Sequence, residues 1–331
     1  MHFLGLVFFP NRLKYAIVKP IFKKGNKQEI SNYRPITLLT SFSKIIEKLI
    51  YAKLHAHINM NNILVQEQYG FRTHSSTERA AFILINSILT AMNNSQIVGS
   101  IFYDLQKAFD CVNHKILLEK LEFYGVEGKF KTLIESYLTG RYQRVALDNI
   151  TNNNNSSKWE ILKCGVPQGL ILGPLFYLIY IKDLPTIVNK DNNMVLFVDD
   201  TSIMITDSNR RDFNINANQM FQDINTWCNV TLLTSNFNET QYLEFRTKNY
   251  YNVNTQIKYQ ECITKATEIK FLGLTIDDTL SWKQHIEQVI NKMCSACYAL
   301  RNIKHSTSRH TKCNLFRSYT LYHKLWYNFL G

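Results

Sequence analysis

Apolar positions along this chain follow two periods. Met194 to Val198 is a short apolar run, and Ile203-Met204-Ile205 is a second, with polar residues between them beginning at Asp199-Asp200. Two short apolar runs around a polar pair predict a tight β-hairpin with the acids at its tip. Adjacent aspartates are poor strand formers and costly to bury unpaired, so the pattern also predicts a cation over that tip. Ile101-Phe102-Tyr103 is another apolar strand, and it too ends on an acid, Asp104. Asn113 is placed to cap a helix whose apolar face is Ile116, Leu117, Leu118 and Leu121, with Gly125 as its stop.

The helical period recurs in five other places. Ser41 to Ile58 carries Ile46, Leu49, Ile50, Leu54 and Ile58 at helical spacing. Ser75 and Glu78 form a capping-box pattern for a helix through about Met92. Pro174 suits the first turn of a helix with Leu175 to Ile181 as its body. Arg210 to Cys228 is helical, with Phe213, Met220, Phe221, Ile224 and Trp227 as core candidates. Arg141 to Leu147 and Trp159 to Leu162 read as paired strands joined by an exposed Asn-rich loop, 148–157. Tyr242 to Phe245 and Lys270 to Ile276 alternate as strands, and the chain is helical and basic from Trp282 onward.

A length of 331 residues with 45% hydrophobic and 19% charged residues describes a globular chain with room for two or three subdomains. The net charge of +12 is unevenly spread. Residues 1–60 carry +8 and residues 281–331 carry +7, which leaves −3 for the middle. An acidic centre between basic ends suits a metal site flanked by surfaces that grip phosphate backbone. No run reaches the ~20 apolar residues of a membrane span. Met1 to Pro10 lacks the basic region and cleavage motif of a signal peptide. The seven cysteines, odd in number and spread out, read as reduced intracellular thiols. Cys294 and Cys297, with His305, His310 and Cys313 nearby, have the wrong spacing for a zinc knuckle and fit one turn of an amphipathic helix.

If the Asp104 strand lies beside the 194–205 hairpin, Asp104, Asp199 and Asp200 meet at one sheet edge. Hard oxygen donors of this kind suit Mg²⁺. Two such ions about 3.5–4 Å apart activate an attacking hydroxyl and stabilise a leaving oxygen, which is nucleotidyl-transfer chemistry. Asp110 lies past the strand end and reads as structural or as a supporting group. Gly165, Gly169 and Gly173 would let backbone approach a ligand closely, and Gln168 is the one side chain there able to read or support a base.

Together these residues resemble the reverse transcriptase domain of non-LTR (LINE-like, jockey-type) retrotransposons, from about Lys14 to His285. The resemblance also rests on Asn32-Tyr33-Arg34-Pro35-Ile36, Gln68-Tyr69-Gly70-Phe71-Arg72 with Ser76-Thr77, Gly165-Val166-Pro167-Gln168-Gly169 and Ser136-Tyr137-Leu138 with Arg141 and Gln143. It continues in Phe271-Leu272-Gly273-Leu274 and Leu280-Ser281-Trp282. It implies an α+β fold of the right-hand polymerase type. Residues 1–100 would be mainly fingers, 101–275 an antiparallel-sheet palm with a fingers segment at about 112–160, and 276–331 a truncated helical thumb. It leaves no room before Lys14 for the endonuclease domain that usually comes first.

The implied activity is RNA-directed DNA polymerase, with Asp104, Asp199 and Asp200 as catalytic, metal-binding residues for Mg²⁺ or Mn²⁺. Lys24, Arg34, Arg72, Phe109, Gln168 and Gly169 would meet the incoming dNTP, and Phe271, Leu272 and Gly273 would form the primer grip. Implied partners are an RNA template, a DNA primer and the element RNA as an intracellular ribonucleoprotein, cytoplasmic or nuclear, with no membrane. Phe109 favours deoxynucleotides, because a bulky ring there fills the space of a 2′-hydroxyl; an RNA-directed RNA polymerase would want a smaller or polar group. Three positions depart from the family: Leu170 replaces Ser, Val198 replaces Ala, and Glu239 replaces Lys. They open the alternative of an impaired relic that only binds RNA or primer–template.

Overall fold

The computed structural model describes residues 7–23, 25–72, 75–147, 155–167, 169–187, 193–247, 258–259 and 261–303. Strands β1 (Tyr15–Phe22) and β2 (Tyr33–Leu38) form an antiparallel hairpin, with Lys19 opposite Ile36 and Ile21 opposite Arg34. Helix α1 (Ser41–Met60) starts at Thr40, whose hydroxyl accepts from the Ser43 N–H at 3.3 Å. It buries Ile50, Leu54 and Ile58, whereas Leu49 faces outward at 41% exposure, so the apolar stripe is narrower than its spacing suggests. Helix α2 (Thr77–Asn93) is capped by Ser76 and not by Ser75: the Ser76 hydroxyl accepts from the Arg79 N–H at 3.1 Å. The helix therefore starts one residue later than expected, which leaves Glu78 one position short of the capping-box return bond.

Strand β3 (Ile97–Tyr103) leads into β4 (Leu105–Gln106). Helix α3 (His114–Phe123) is capped as its sequence indicates: the Asn113 side chain accepts from the N–H groups of Lys115 and Ile116. Helix α4 (Gly128–Leu138) follows, then β5 (Tyr142–Leu147), which runs parallel to β1 with Tyr15 opposite Tyr142. The short strands β6 (Asn155–Ser156) and β7 (Glu160–Ile161) both pair with β5. Residues 155–156 are thus strand where a loop is expected, and 148–154 lie outside the described residues.

Helix α5 (Leu172–Tyr180) is buried on every side, as its almost wholly apolar sequence requires. Strands β8 (Asn193–Phe197) and β9 (Asp200–Asp207) are the expected hairpin, closed at Phe197 opposite Asp200. β9 also pairs antiparallel with β3, from Ile97 opposite Asp207 to Tyr103 opposite Thr201. Helix α6 (Arg210–Val230) buries Phe213, Met220, Phe221, Ile224 and Trp227, all expected core positions. β10 (Thr234–Ser235) pairs with β4.

The chain divides into two compact units, Met1–Tyr242 with Val253–Thr264, and Leu243–Asn252 with Lys265–Gly331. The core of the first unit gathers β3, β8, β9, α5 and α6 around side chains such as Ile101, Phe176, Leu196, Ile203 and Phe221. In the second unit, Glu268–Phe271 and Leu274–Asp277 form a hairpin, not one continuous strand. Leu272 (φ 48°) and Gly273 (φ 91°) turn the chain, and the buried apolar positions shift there from Ile269 and Phe271 to Leu274 and Ile276. Helix α7 (Lys283–Ile303) carries Cys294 and Cys297. Among the described residues, no helix is long and apolar enough to cross a membrane.

Candidate active site

Val198 and Asp199 make the two-residue turn between β8 and β9. Val198 has φ 61°, a left-handed conformation that costs a β-branched residue about 1–3 kcal/mol. The turn is held from outside by residues 67–70. Leu196 donates to the Glu67 carbonyl and accepts from the Tyr69 N–H, both at 2.8 Å. Gln68 is buried, and its side-chain oxygen accepts from the N–H groups of Gly70 at 2.7 Å and Val198 at 3.1 Å. A Cβ on Gly70 would stand 2.6 Å from the Val198 nitrogen, so only glycine lets the segment come this close.

The β3–β9 ladder ends at Tyr103 opposite Thr201, which brings Asp104 out of β3 beside Asp200. The loop after β10 fixes Asp104. Its N–H donates to the Thr240 hydroxyl at 3.1 Å, and its carbonyl accepts from the Asn236 N–H at 2.9 Å. The Asn236 side-chain amide donates to Asp104 Oδ2 at 2.7 Å. Behind this strand end, the buried Tyr103 hydroxyl bonds to Asn225 Oδ1 at 2.9 Å and to the Ser235 hydroxyl.

The charge of Asp199 bears on both Asp104 and Asp200. Burial raises the Asp104 pKa, Asn236 opposes that, Glu239 and Asp199 raise it further, and Lys23 lowers it. Asp200 is pushed up to about 6 by burial and then by the charges of Asp199 and Asp104, with Lys23 pulling the other way. Asp200 as a whole residue is exposed, so repulsion by its two neighbours is the firmer of these causes. Lys23, just past β1, is the described lysine whose charge favours the ionised form of both Asp104 and Asp200. Among the described residues no three His, Cys, Asp or Glu side chains converge closely enough to ligate one ion as they stand, and Asn236 already binds one Asp104 oxygen. The donors nevertheless fit a hard divalent cation: crowded carboxylates offset, among the described residues, by Lys23 leave negative charge for an ion to balance.

Phe109 is half-buried and stacks on Tyr177, ring centroids 4.7 Å apart and planes at 28°. Gly169 (φ 89°) turns beside β2, with its Cβ position 3.4 Å from Ile36 and 3.5 Å from the Thr37 carbonyl. Arg34 is exposed on the same strand. Arg72 donates to the Val65 carbonyl at 2.5 Å. Leu170 is buried at 4% exposure, and the next residue is tied down where the buried Glu47 carboxylate accepts from the Ile171 N–H at 3.3 Å. Phe271, Leu272 and Gly273 form the hairpin turn of the second unit. Lys24 and Gln168 lie outside the described residues, as do His305, His310 and Cys313.

A family model described as reverse transcriptase (RNA-dependent DNA polymerase) matches residues 21–276. The chain belongs to the reverse transcriptase family. The domain is 28% identical over 312 residues to a probable RNA-directed DNA polymerase from transposon BS of Drosophila melanogaster, covering 90% of this chain and 33% of that protein. It is 27% identical over 306 residues to the RNA-directed DNA polymerase from mobile element jockey of the same fly, covering 87% of this chain and 32% of that protein. The chain thus spans about a third of the length of these curated relatives. In three dimensions it is similar to apo telomerase from Candida tropicalis truncated from its C-terminal domain, with TM-score 0.52, 16% identity, and coverage of 82% of this chain and 55% of that one. A second structure of apo telomerase from that yeast gives TM-score 0.54 and 14% identity, over 81% of this chain and 48% of that one. The fold of this reverse transcriptase domain is therefore the α+β polymerase fold.

Three residues that support the carboxylates of the reverse transcriptase domain have no role legible in the sequence: Gln68, Asn236 and Thr240. Each lies in or next to a stretch that carries the resemblance. Their bonds span 130 residues from Gln68 to Val198 and 132 from Asn236 to Asp104.

Proposed function

We propose that the chain is the polymerase part of a non-LTR retrotransposon protein, an RNA-directed DNA polymerase that adds deoxynucleotides to a primer 3′-hydroxyl along an RNA template. The observation that carries this reading is Asp104 at the end of β3 beside Asp199 and Asp200 at the β8–β9 turn. Asp104, Asp199 and Asp200 would hold Mg²⁺ or Mn²⁺. Such ions, when bound, supply the charge that activates the primer hydroxyl and steadies the leaving pyrophosphate.

The chain's own residues do the rest. Asn236 and Thr240 orient Asp104, and Gln68 holds the turn that presents Asp199 and Asp200. Lys23, Lys24, Arg34 and Arg72 would meet triphosphate or template phosphates in charge-assisted contacts. Phe109 would stand against the sugar, Gln168 and Gly169 along the base pair, and Phe271, Leu272 and Gly273 at the primer end. Residues 1–100 with about 112–160 would serve as fingers, the remainder to 275 as palm, and 276–331 as part of a thumb. The partners would be an RNA template, a DNA primer and the element's RNA in an intracellular ribonucleoprotein.

A second reading has a specific observation behind it. Glu239 sets a negative charge against Asp104, which suits a domain that binds primer–template and turns over slowly. Primer extension on an RNA template with Mg²⁺ or Mn²⁺ separates the two. We expect extension by the parent chain, and its loss in Asp104→Asn and Asp199→Asn variants that still fold. Asp199→Asn extending like an active parent would sink the assignment.

A further inference from the structure

Tyr177 is fully buried on α5 (0% exposed), and its hydroxyl has no hydrogen-bond partner among the described residues. Buried hydroxyls are ordinarily satisfied, and those of the neighbouring core tyrosines are. Tyr180, on the same helix, donates to the Thr231 carbonyl and accepts from the Asn113 N–H. Tyr137 donates to Glu47 Oε1 at 2.5 Å, and Tyr103 to Asn225 Oδ1 at 2.9 Å. The ring of Tyr177 is the surface on which Phe109 stacks, and Phe109 comes five residues after Asp104. The ionisable groups that bear on the hydroxyl are, in order, Asp199, Cys228, Asp104 and Cys111. Of these only the two carboxylates offer oxygen acceptors, since the other two are thiols.

We propose that Tyr177 is a positioning residue for the reaction: its hydroxyl donates to a carboxylate oxygen of Asp104 or Asp199 when those side chains take up a divalent ion, and its ring backs Phe109 against the nucleotide sugar. This rests on the reading that those aspartates hold the ion. The unpartnered hydroxyl and the stacked ring assign two separable jobs to one side chain. A hydrogen bond to a ligating carboxylate fixes its orientation and its affinity for the ion. A packed ring behind Phe109 fixes where that ring stops, and hence how a 2′-hydroxyl is excluded.

The test uses Tyr177→Phe, which keeps the ring and removes the hydroxyl, and Tyr177→Leu, which removes both. Mn²⁺ affinity is measured by calorimetry on the full chain without nucleic acid. The ratio of kcat/KM for deoxynucleotides and ribonucleotides is measured in primer extension. Loss of a hydrogen bond to a metal-ligating group weakens metal binding about 10- to 100-fold, so Tyr177→Phe should weaken Mn²⁺ binding about 10-fold or more. Its melting temperature without metal should be unchanged or raised, and its nucleotide discrimination should match the parent's. Tyr177→Leu should lose discrimination as well. Should Tyr177→Leu fail to fold, the nearly isosteric Tyr177→Phe still decides. Tyr177→Phe binding Mn²⁺ as the parent does would overturn the hydroxyl's role alone. Tyr177→Phe losing discrimination as fully as Tyr177→Leu would overturn the division of labour. A parent chain that binds no Mn²⁺ would overturn the metal assignment of the three aspartates, and this inference with it.

Discussion

Gly70→Ala tests whether the Asp199–Asp200 turn is held from outside. A Cβ at this position would lie 2.6 Å from the Val198 nitrogen and 2.4 Å from Val198 Cγ2. Rotation of the Val198 side chain can relieve the second contact but not the first, because the first is with backbone. The 67–70 segment or the turn must therefore shift. Overpacking of this kind costs about 1–3 kcal/mol. If the shift also breaks the two bonds to the Gln68 oxygen, each adds about 0.5–1.5 kcal/mol. The total is about 2–6 kcal/mol, with the lower half expected while the Leu196 bonds to Glu67 and Tyr69 keep the segment in register. A displacement of about 1 Å at a catalytic group can lower the rate about 100-fold. Gly70→Ala should therefore lose far more in single-turnover extension than its drop in melting temperature suggests. Adding Val198→Ala removes the Cγ2 clash and leaves the nitrogen clash, so rescue should be partial. A Gly70→Ala protein with the parent's melting temperature and extension rate would refute the reasoning.

Three other outcomes follow from the same site. Phe109→Val should raise ribonucleotide use relative to deoxynucleotide, read as the ratio of kcat/KM; an unchanged ratio would make Phe109 simply a packing partner of Tyr177. Glu239→Lys should lower the Asp104 pKa and speed single-turnover incorporation, with nucleotide affinity changing less than rate; a variant no faster than its parent would refute the charge argument. Asp200, raised from 3.8 to about 6, keeps a proton in the folded state that the unfolded chain has already lost between about pH 4 and 6. Metal-free stability should accordingly fall as pH rises through that window and stay low above it. Asp200→Asn should flatten the profile and melt higher than the parent at pH 7.5 in chelator, and a profile unchanged by the substitution would count against the repulsion among the three carboxylates.

The fold was legible where one local force decided the outcome. Asn113 caps its helix because the capping bond is made within three residues, and the α6 stripe from Phe213 to Trp227 is core because its spacing leaves no other face apolar. Local pattern failed where two cues competed. Alternation of Leu272, Leu274 and Ile276 hides a hairpin, since it runs through the turn at Leu272 and Gly273 while the buried phase moves from Phe271 to Leu274. The Ser75–Glu78 spacing set the start of α2 one residue early, since it is the Ser76 hydroxyl that reaches the Arg79 N–H. The carboxylates themselves were legible because an acid ending an apolar strand is conspicuous. Their supports were not, since Gln68 and Asn236 act across more than a hundred residues and nothing nearby in sequence announces the contact.

That asymmetry bears on the three departures from the family pattern, which reach the site by different physical routes. Leu170 is buried at 4% exposure beside a loop residue held by Glu47, so its extra bulk is absorbed in packing. Val198 acts on geometry: its left-handed backbone carries strain that the Gln68 bond to its N–H must hold in place, and any loosening moves Asp199 and Asp200 together. Glu239 acts on charge: it is exposed, yet it raises the protonation of Asp104 through space. A slow domain could therefore be slow for either of two reasons, and they part under salt. Screening weakens the exposed Glu239 interaction within a Debye length of about 8–10 Å, while strain in a hydrogen-bonded turn is indifferent to it. If raising ionic strength moves the rates of parent and Glu239→Lys toward each other, charge is the limiting defect; if the gap persists and Val198→Ala closes it, geometry is.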